Sequence, residues 1–136
     1  LQDIVHVTGY GPSTEFSLYL QAIDIGINLR YPTWGEMSAA LVRLLAAAKP
    51  TLVTDEASYA NLPDAIVCKI PLGINESSVL EATLKQLITD VVWRQNVGDA
   101  AYAYVKENCD PETVARQYAA FIQTTSCPDM VSLDRL

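Results

Sequence analysis

Histidine occurs once in this sequence, as His6, and cysteine three times, as Cys68, Cys109 and Cys127. One imidazole and an odd set of thiols, with no pair at metal-ligand spacing, do not assemble a zinc site or a Cys–His dyad. The thiols read as structural groups in a reducing compartment. A P-loop and a Gly-x-Ser-x-Gly nucleophile elbow are also missing. No cluster of Lys and Arg interrupts a net charge of −7, which argues against a nucleic-acid surface. Long apolar runs are absent too: Ala39 to Ala48 is broken by Arg43 and stopped by Lys49-Pro50, too short to span a bilayer. No signal-peptide pattern precedes the first strand-like segment. The expected setting is therefore cytoplasmic, with no transmembrane segment; no cofactor is expected, and there is no internal repeat or low-complexity stretch.

Half of the 136 residues are hydrophobic, enough for one domain that needs neither disulfides nor metals. The first residue is Leu1 rather than Met, at a strand-like segment, as expected of a trimmed chain or a fragment. Residues 1–126 read as a single partial domain and residues 127–136 as an aperiodic, mobile tail.

The pattern alternates strand and helix. Asp3 to Thr8 reads as a strand, broken by Gly9-Tyr10-Gly11-Pro12, with Ser13 suited to cap a helix bearing Phe16, Tyr19, Leu20 and Ile23. Asp24 to Leu29 reads as a second strand, which after Asp24 is nearly apolar throughout except for Asn28, as in a parallel sheet covered on both faces. After the loop Arg30 to Gly35, Glu36 opens a helix with Met37, Ala40, Leu41, Leu44, Leu45 and Ala48 on one stripe. Thr51 to Thr54 and Ala65 to Ile70 complete the strands, with one helical turn around Tyr59 between them. Three helices follow, over Glu76 to Thr89, over Val91 to Glu107, and from Asp110-Pro111-Glu112 onward. Their inward residues are expected to include Ile88 on the first and Trp93, Val97 and Tyr104 on the second; the third carries Val114, Tyr118, Phe121 and Ile122. The fold class is thus α/β: a Rossmann-like parallel sheet of about four strands with helices on both faces.

Ligands of such sheets bind beyond the carboxyl ends of the strands, which selects Gly9–Ser13, Arg30–Ser38 and Asp55–Ala60. In the second segment, Gly35, Ser38, Ala39 and Ala40 are small enough for a ligand to reach the backbone. The following helix offers free N–H groups and the positive end of its dipole to a pyrophosphate. Glu36 either accepts hydrogen bonds from sugar hydroxyls or only complements the helix dipole. Gly9-Tyr10-Gly11 follows the placement of a dinucleotide fingerprint, but Thr14 stands where the third glycine belongs, so a bare turn is the competing reading. Asp55 and Glu56 are either a metal or acid–base pair or ordinary loop acids. His6, between Val5 and Val7, reads as a packed or edge histidine rather than a base.

From Asp24 to Asp64 the sequence resembles group 1 (family four) retaining glycosyltransferases. The likeness rests on an ordered series: Asp24-Ile25-Gly26-Ile27-Asn28-Leu29-Arg30-Tyr31-Pro32-Thr33, Gly35-Glu36-Met37-Ser38, Lys49-Pro50, Val53-Thr54-Asp55 and Leu62-Pro63-Asp64. Val7-Thr8-Gly9 and the segment from Asp90 to Tyr118 agree with it. The resemblance implies part of the C-terminal domain of a two-domain GT-B enzyme that grips a nucleotide-sugar donor, without a metal, for transfer to a glycan or other acceptor. Glu36 matches the first acid of the family's paired-glutamate motif, and the backbone of Met37, Ser38 and Ala39 matches the segment that meets sugar and phosphates. Gly35, Thr33 and Arg30 complete the expected donor set, and no catalytic residue is assigned.

The sequence departs from the family at Leu44, where the second glutamate would hold ribose, at Ala48 and Ala57, where glycines are common, and at Asn61. The resemblance also implies that a preceding strand–helix half, with its phosphate-binding basic residues, and the acceptor-binding N-terminal domain lie outside this chain. Alone it is expected to be inactive, with an exposed sheet edge open to homodimerisation. The parent protein would build a polysaccharide in the cytoplasm or associated with a membrane. The competing reading is a non-catalytic Rossmann-like interaction or nucleotide-binding module with a degenerate site.

Overall fold

The computed structural model describes residues 4–125; the expected tail at residues 127–136, including Cys127, lies outside them, as does Asp3. The elements run α1 (Ser13–Ala22), β1 (Gly26–Asn28), α2 (Ala39–Ala46), β2 (Thr51–Thr54), α3 (Ala57–Ala60), β3 (Cys68–Ile70), α4 (Glu76–Thr89), α5 (Val91–Asn108) and α6 (Pro111–Thr125). Among the described residues the sheet has three parallel strands in the order β1-β2-β3. Gly26 pairs with Thr51 and Asn28 with Val53, while Leu52 pairs with Cys68 and Thr54 with Ile70.

Adjacent strand residues face opposite sides, so β2 feeds two cores. Val53 joins Leu41, Leu45, Tyr59, Leu62, Ile66 and Ala101 on one side. Leu52 joins Cys68, Ile70, Leu87 and Val97 on the other. Helix α5 contributes Val97 to one cluster and Ala101 to the other, which ties the two faces together.

Helix α2 forms because Leu41, Leu44 and Leu45 make one buried stripe and Ser38 caps it, accepting a hydrogen bond from the Leu41 N–H. It closes with Lys49 N–H on the Leu44 carbonyl, Ala48 N–H on the Leu45 carbonyl, and Ala48 at φ 55°. That is the Schellman closure, which glycine ordinarily provides. Helices α4 and α5 begin and end close to their expected limits, and Asp90 caps α5 through the Trp93 N–H.

Several expectations are corrected. Residues 4–8 form no strand: Ile4, Val5 and Val7 are exposed, and among the described residues no neighbouring strand offers them a ladder, so the count there is three rather than four. His6 is correspondingly exposed rather than packed. The second and fourth expected strands shorten to Gly26–Asn28 and Cys68–Ile70, although Ile66 and Val67 remain buried in the core. Helix α2 starts at Ala39, not at Glu36, because the cap is Ser38; Met37 therefore precedes the helix and is exposed. Ile88 faces solvent, Leu87 taking the inward place beside it. Tyr118, Phe121 and Ile122 on α6 are exposed, since α6 buries none of its residues among the described ones. Cys68 is buried, but Cys109 is exposed at the corner between α5 and α6 and takes no part in the core.

Candidate functional site

The loop between β1 and α2 leaves the carboxyl end of β1 and is pinned at several points. The Arg30 N–H donates to Thr54 Oγ1 at the end of β2, at 2.8 Å. The peptide bond Tyr31–Pro32 is cis, and Gly35 has a φ of 90°, a conformation that side chains with a Cβ rarely adopt. At its far end, Ser58 Oγ on α3 donates to the Glu36 carbonyl at 3.1 Å.

Glu36 is the best-held charged group of this loop. Its Oε2 accepts the Trp34 N–H at 2.8 Å and the Thr33 hydroxyl at 3.4 Å, and its Oε1 lies 3.9 Å from Arg30 Nη1. Its own backbone N–H, then that of Trp34, hold the carboxyl below the usual Glu range, with smaller contributions from Thr33 and Arg30. The side chain is about half exposed, at 47%. Hydrogen bonds to backbone donors, rather than burial, therefore set its state. Because Glu36 sits ahead of the helix cap, it does not act as a first-turn dipole partner, the alternative its sequence position allowed.

Arg30, Thr33, Gly35 and Glu36 are thus brought together in one loop. Met37 and Ala39 are exposed beside them, and Ser38 is buried. The Ser38 hydroxyl is already engaged, accepting from Leu41 N–H and donating to Asn28 Oδ1, each at 3.3 Å. Leu44 is buried and packs, as its place on the stripe implies.

Sequence reasoning missed a second feature. The Gly9–Gly11 turn does not follow a strand, so it lacks the context of a dinucleotide fingerprint. It nevertheless lines a cavity of about 260 Å³ together with Tyr10, Phe16, Tyr19 and Arg43. The Arg43 guanidinium stands 5.6 Å above the Phe16 ring centroid, a cation–π distance. In the sequence Arg43 registered only as an interruption of an apolar run. The available signal was its place one turn beyond Ala39, on the helix that the Glu36 loop enters. Glu36 itself does not line this cavity.

Asp55 lies in the turn after β2 and Glu56 just before α3. Among the described residues no group of three or more His, Cys, Asp or Glu side chains is placed to hold a metal ion. No helix among them is long and apolar enough to cross a membrane.

No family model matches the chain, and no curated protein matches it. Among solved structures it is similar to sucrose-phosphate synthase from Thermosynechococcus elongatus, with a TM-score of 0.73 and 15% sequence identity over 90% of this chain. The chain spans 30% of the length of that protein. At this identity the likeness is one of fold: three parallel strands flanked by helices, arranged as in part of a GT-B glycosyltransferase.

Proposed function

We propose that this chain is the nucleotide-sugar-binding portion of a glycosyltransferase that delivers a sugar, with retention of configuration, to a glycan or other acceptor. The observation that supports this reading best is the Glu36 carboxylate, kept ionised by backbone N–H groups at the carboxyl end of β1 and immediately ahead of α2. An ionised carboxylate has acceptor capacity left for two sugar hydroxyls. The first N–H groups of α2, at Ala39 and Ala40, take the diphosphate in this reading, since Ser38 caps only the Leu41 N–H. Arg30 and Thr33 flank the sugar, Gly35 and Met37 shape its approach, and the cavity beneath Arg43 receives the rest of the nucleotide.

In this proposal residues 1–126 form one partial domain, and the acceptor is held by a separate domain, so this portion alone does not complete transfer. The parent enzyme works on polysaccharide in the cytoplasm or at its membrane face. The open edge of β1, with Ile27 about half exposed, pairs with further strands of the same domain or, without them, with a second copy. One observation favours a second reading, a non-catalytic module. Leu44 is buried at the position where the family places its ribose-binding glutamate.

The test is ligand-observed NMR with UDP-, GDP-, ADP- and CDP-sugars, on this chain and on the full-length parent, with Glu36→Gln and Arg43→Ala as variants. Binding of one donor by the parent, weakened about tenfold or more in Glu36→Gln, is the expected result. Silence from a folded parent across the panel would overturn donor binding and leave the non-catalytic module.

A further inference from the structure

A groove beside β3, the strand at the opposite edge of the sheet from β1, has a volume of about 430 Å³ and is lined by no residue of the Arg30–Glu36 loop. That is within the range of roughly 300–1,000 Å³ usual for small-ligand sites. Its walls come from four parts of the fold: Asp55 after β2, Cys68 and Lys69 on β3, Thr83 and Gln86 on α4, and Trp93 on α5. β3, α4 and α5 follow one another in the chain, whereas Asp55 joins them only through tertiary packing.

The polar groups of the groove are largely uncommitted. The side chains of Asp55, Thr83 and Gln86 and the indole N–H of Trp93 have no hydrogen-bond partner among the described residues. Lys69 is the exception: its Nζ lies 2.7 Å from Asp64 Oδ1 and donates to the Ala60 carbonyl at 2.8 Å. The Trp93 ring is held in place because it packs against the core formed by Leu52, Cys68, Ile70, Leu87 and Val97.

We propose that this groove is a carbohydrate-binding site, separate from the donor loop, that takes a neutral mono- or disaccharide unit. Each sugar hydroxyl both donates and accepts. The groove offers a carboxylate that only accepts, an indole N–H that only donates, and an amide and a hydroxyl that do both. Trp93 supplies a fixed aromatic wall for the apolar face of a pyranose ring. Charge argues against an anionic ligand, because Asp55 and Asp64 face the groove while the single ammonium is already paired. Strand geometry argues against an added peptide strand, because β3 is only three residues long and offers a short edge.

The protein has two tryptophans, Trp34 and Trp93, so a Trp34→Phe chain reports from the groove alone. The probes are glucose, galactose, mannose, maltose and sucrose, followed by Trp93 fluorescence up to about 100 mM, where even a millimolar site saturates. The expected result is a saturable change with at least one sugar, weakened about tenfold by Gln86→Ala and by Asp55→Asn. Glu36→Gln leaves that change intact, so failure of the donor proposal and failure of this one are distinguishable. Absence of a saturable change in a folded chain overturns the proposal, and so does a change that both groove variants retain. Gln86 and Asp55 are exposed and outside the core, so their replacement preserves the fold, which circular dichroism checks directly.

Discussion

Gly98 on α5 meets the backbone of Ala48 so closely that a Cβ at Gly98 would lie 2.3 Å from the Ala48 carbonyl oxygen. The obstacle is backbone at the closure of α2, not the free end of a side chain, so it cannot swing away. This contact sets how near α5 comes to the turn that leads into β2, and hence how Val97 and Ala101 reach the two cores. Gly98→Ala is expected to destabilise the chain by about 2–3 kcal/mol. Urea unfolding measures it; a midpoint unchanged from wild type would show that α5 shifts without cost.

The other partner of that contact is itself strained. Ala48 holds φ at 55° to complete the α2 closure, a region where a Cβ crowds the following carbonyl. Ala48→Gly relieves the crowding while keeping both closing hydrogen bonds, and is expected to stabilise by about 0.5–1 kcal/mol after the entropy of the added glycine is offset. Thermal and urea melts of the two chains decide it; a lower melting temperature in the variant contradicts the account.

Glu36 should titrate below 4.5, the ordinary value for its side chain. Since its own N–H and that of Trp34 contribute most, Arg30→Met should leave most of the depression in place. The folded-state pKa is lowered, so any stability linked to it is present above the unfolded-chain pKa and lost as pH falls through the folded value. Donor binding that needs the carboxylate should follow the same direction, surviving mild acid and disappearing below the folded pKa. Carbonyl-detected NMR of Glu36 through acid pH reads the midpoint; a value at or above the ordinary one refutes the hydrogen-bonded geometry.

The two described thiols should separate chemically. Burial pushes Cys68 up to about 11, whereas Cys109 is exposed. Since the thiolate is the reactive form, iodoacetamide at about pH 8 should label Cys109 in the native chain and Cys68 only after unfolding. Peptide mass mapping distinguishes the sites. Prompt native labelling of Cys68 would mean that β3 opens readily.

Local patterns were most legible where one segment carries its own answer. Helix α4 follows from the spacing of Leu80, Leu84 and Leu87, and α5 from the spacing of Trp93, Val97 and Tyr104, whereas its cap at Asp90 emerged only in the structure. Asp110 ahead of Pro111 marks the start of α6, where its carboxylate accepts the Thr113 N–H at 2.9 Å. The Arg30–Glu36 loop was legible as a site candidate because small residues and a carboxylate sit between an apolar strand and an apolar-striped helix. The start of α2 was displaced because Glu36, Met37 and Ser38 all suit a first turn, and the hydrogen bond from Leu41 N–H to Ser38 decides among them.

By itself, then, the amino-acid sequence determined the α/β class, the helices with a clear apolar period, and the loop that carries Glu36, since these depend on neighbours along the chain. Tertiary structure alone decided the rest. Val5 and Val7 have the makings of a strand, but a strand exists only where another strand completes its hydrogen bonds. Arg43 over Phe16, Gly98 against Ala48, and Asp55 beside Gln86 and Trp93 join residues far apart in sequence. Such pairs follow no local period, because their distances are set by how helices pack on the sheet.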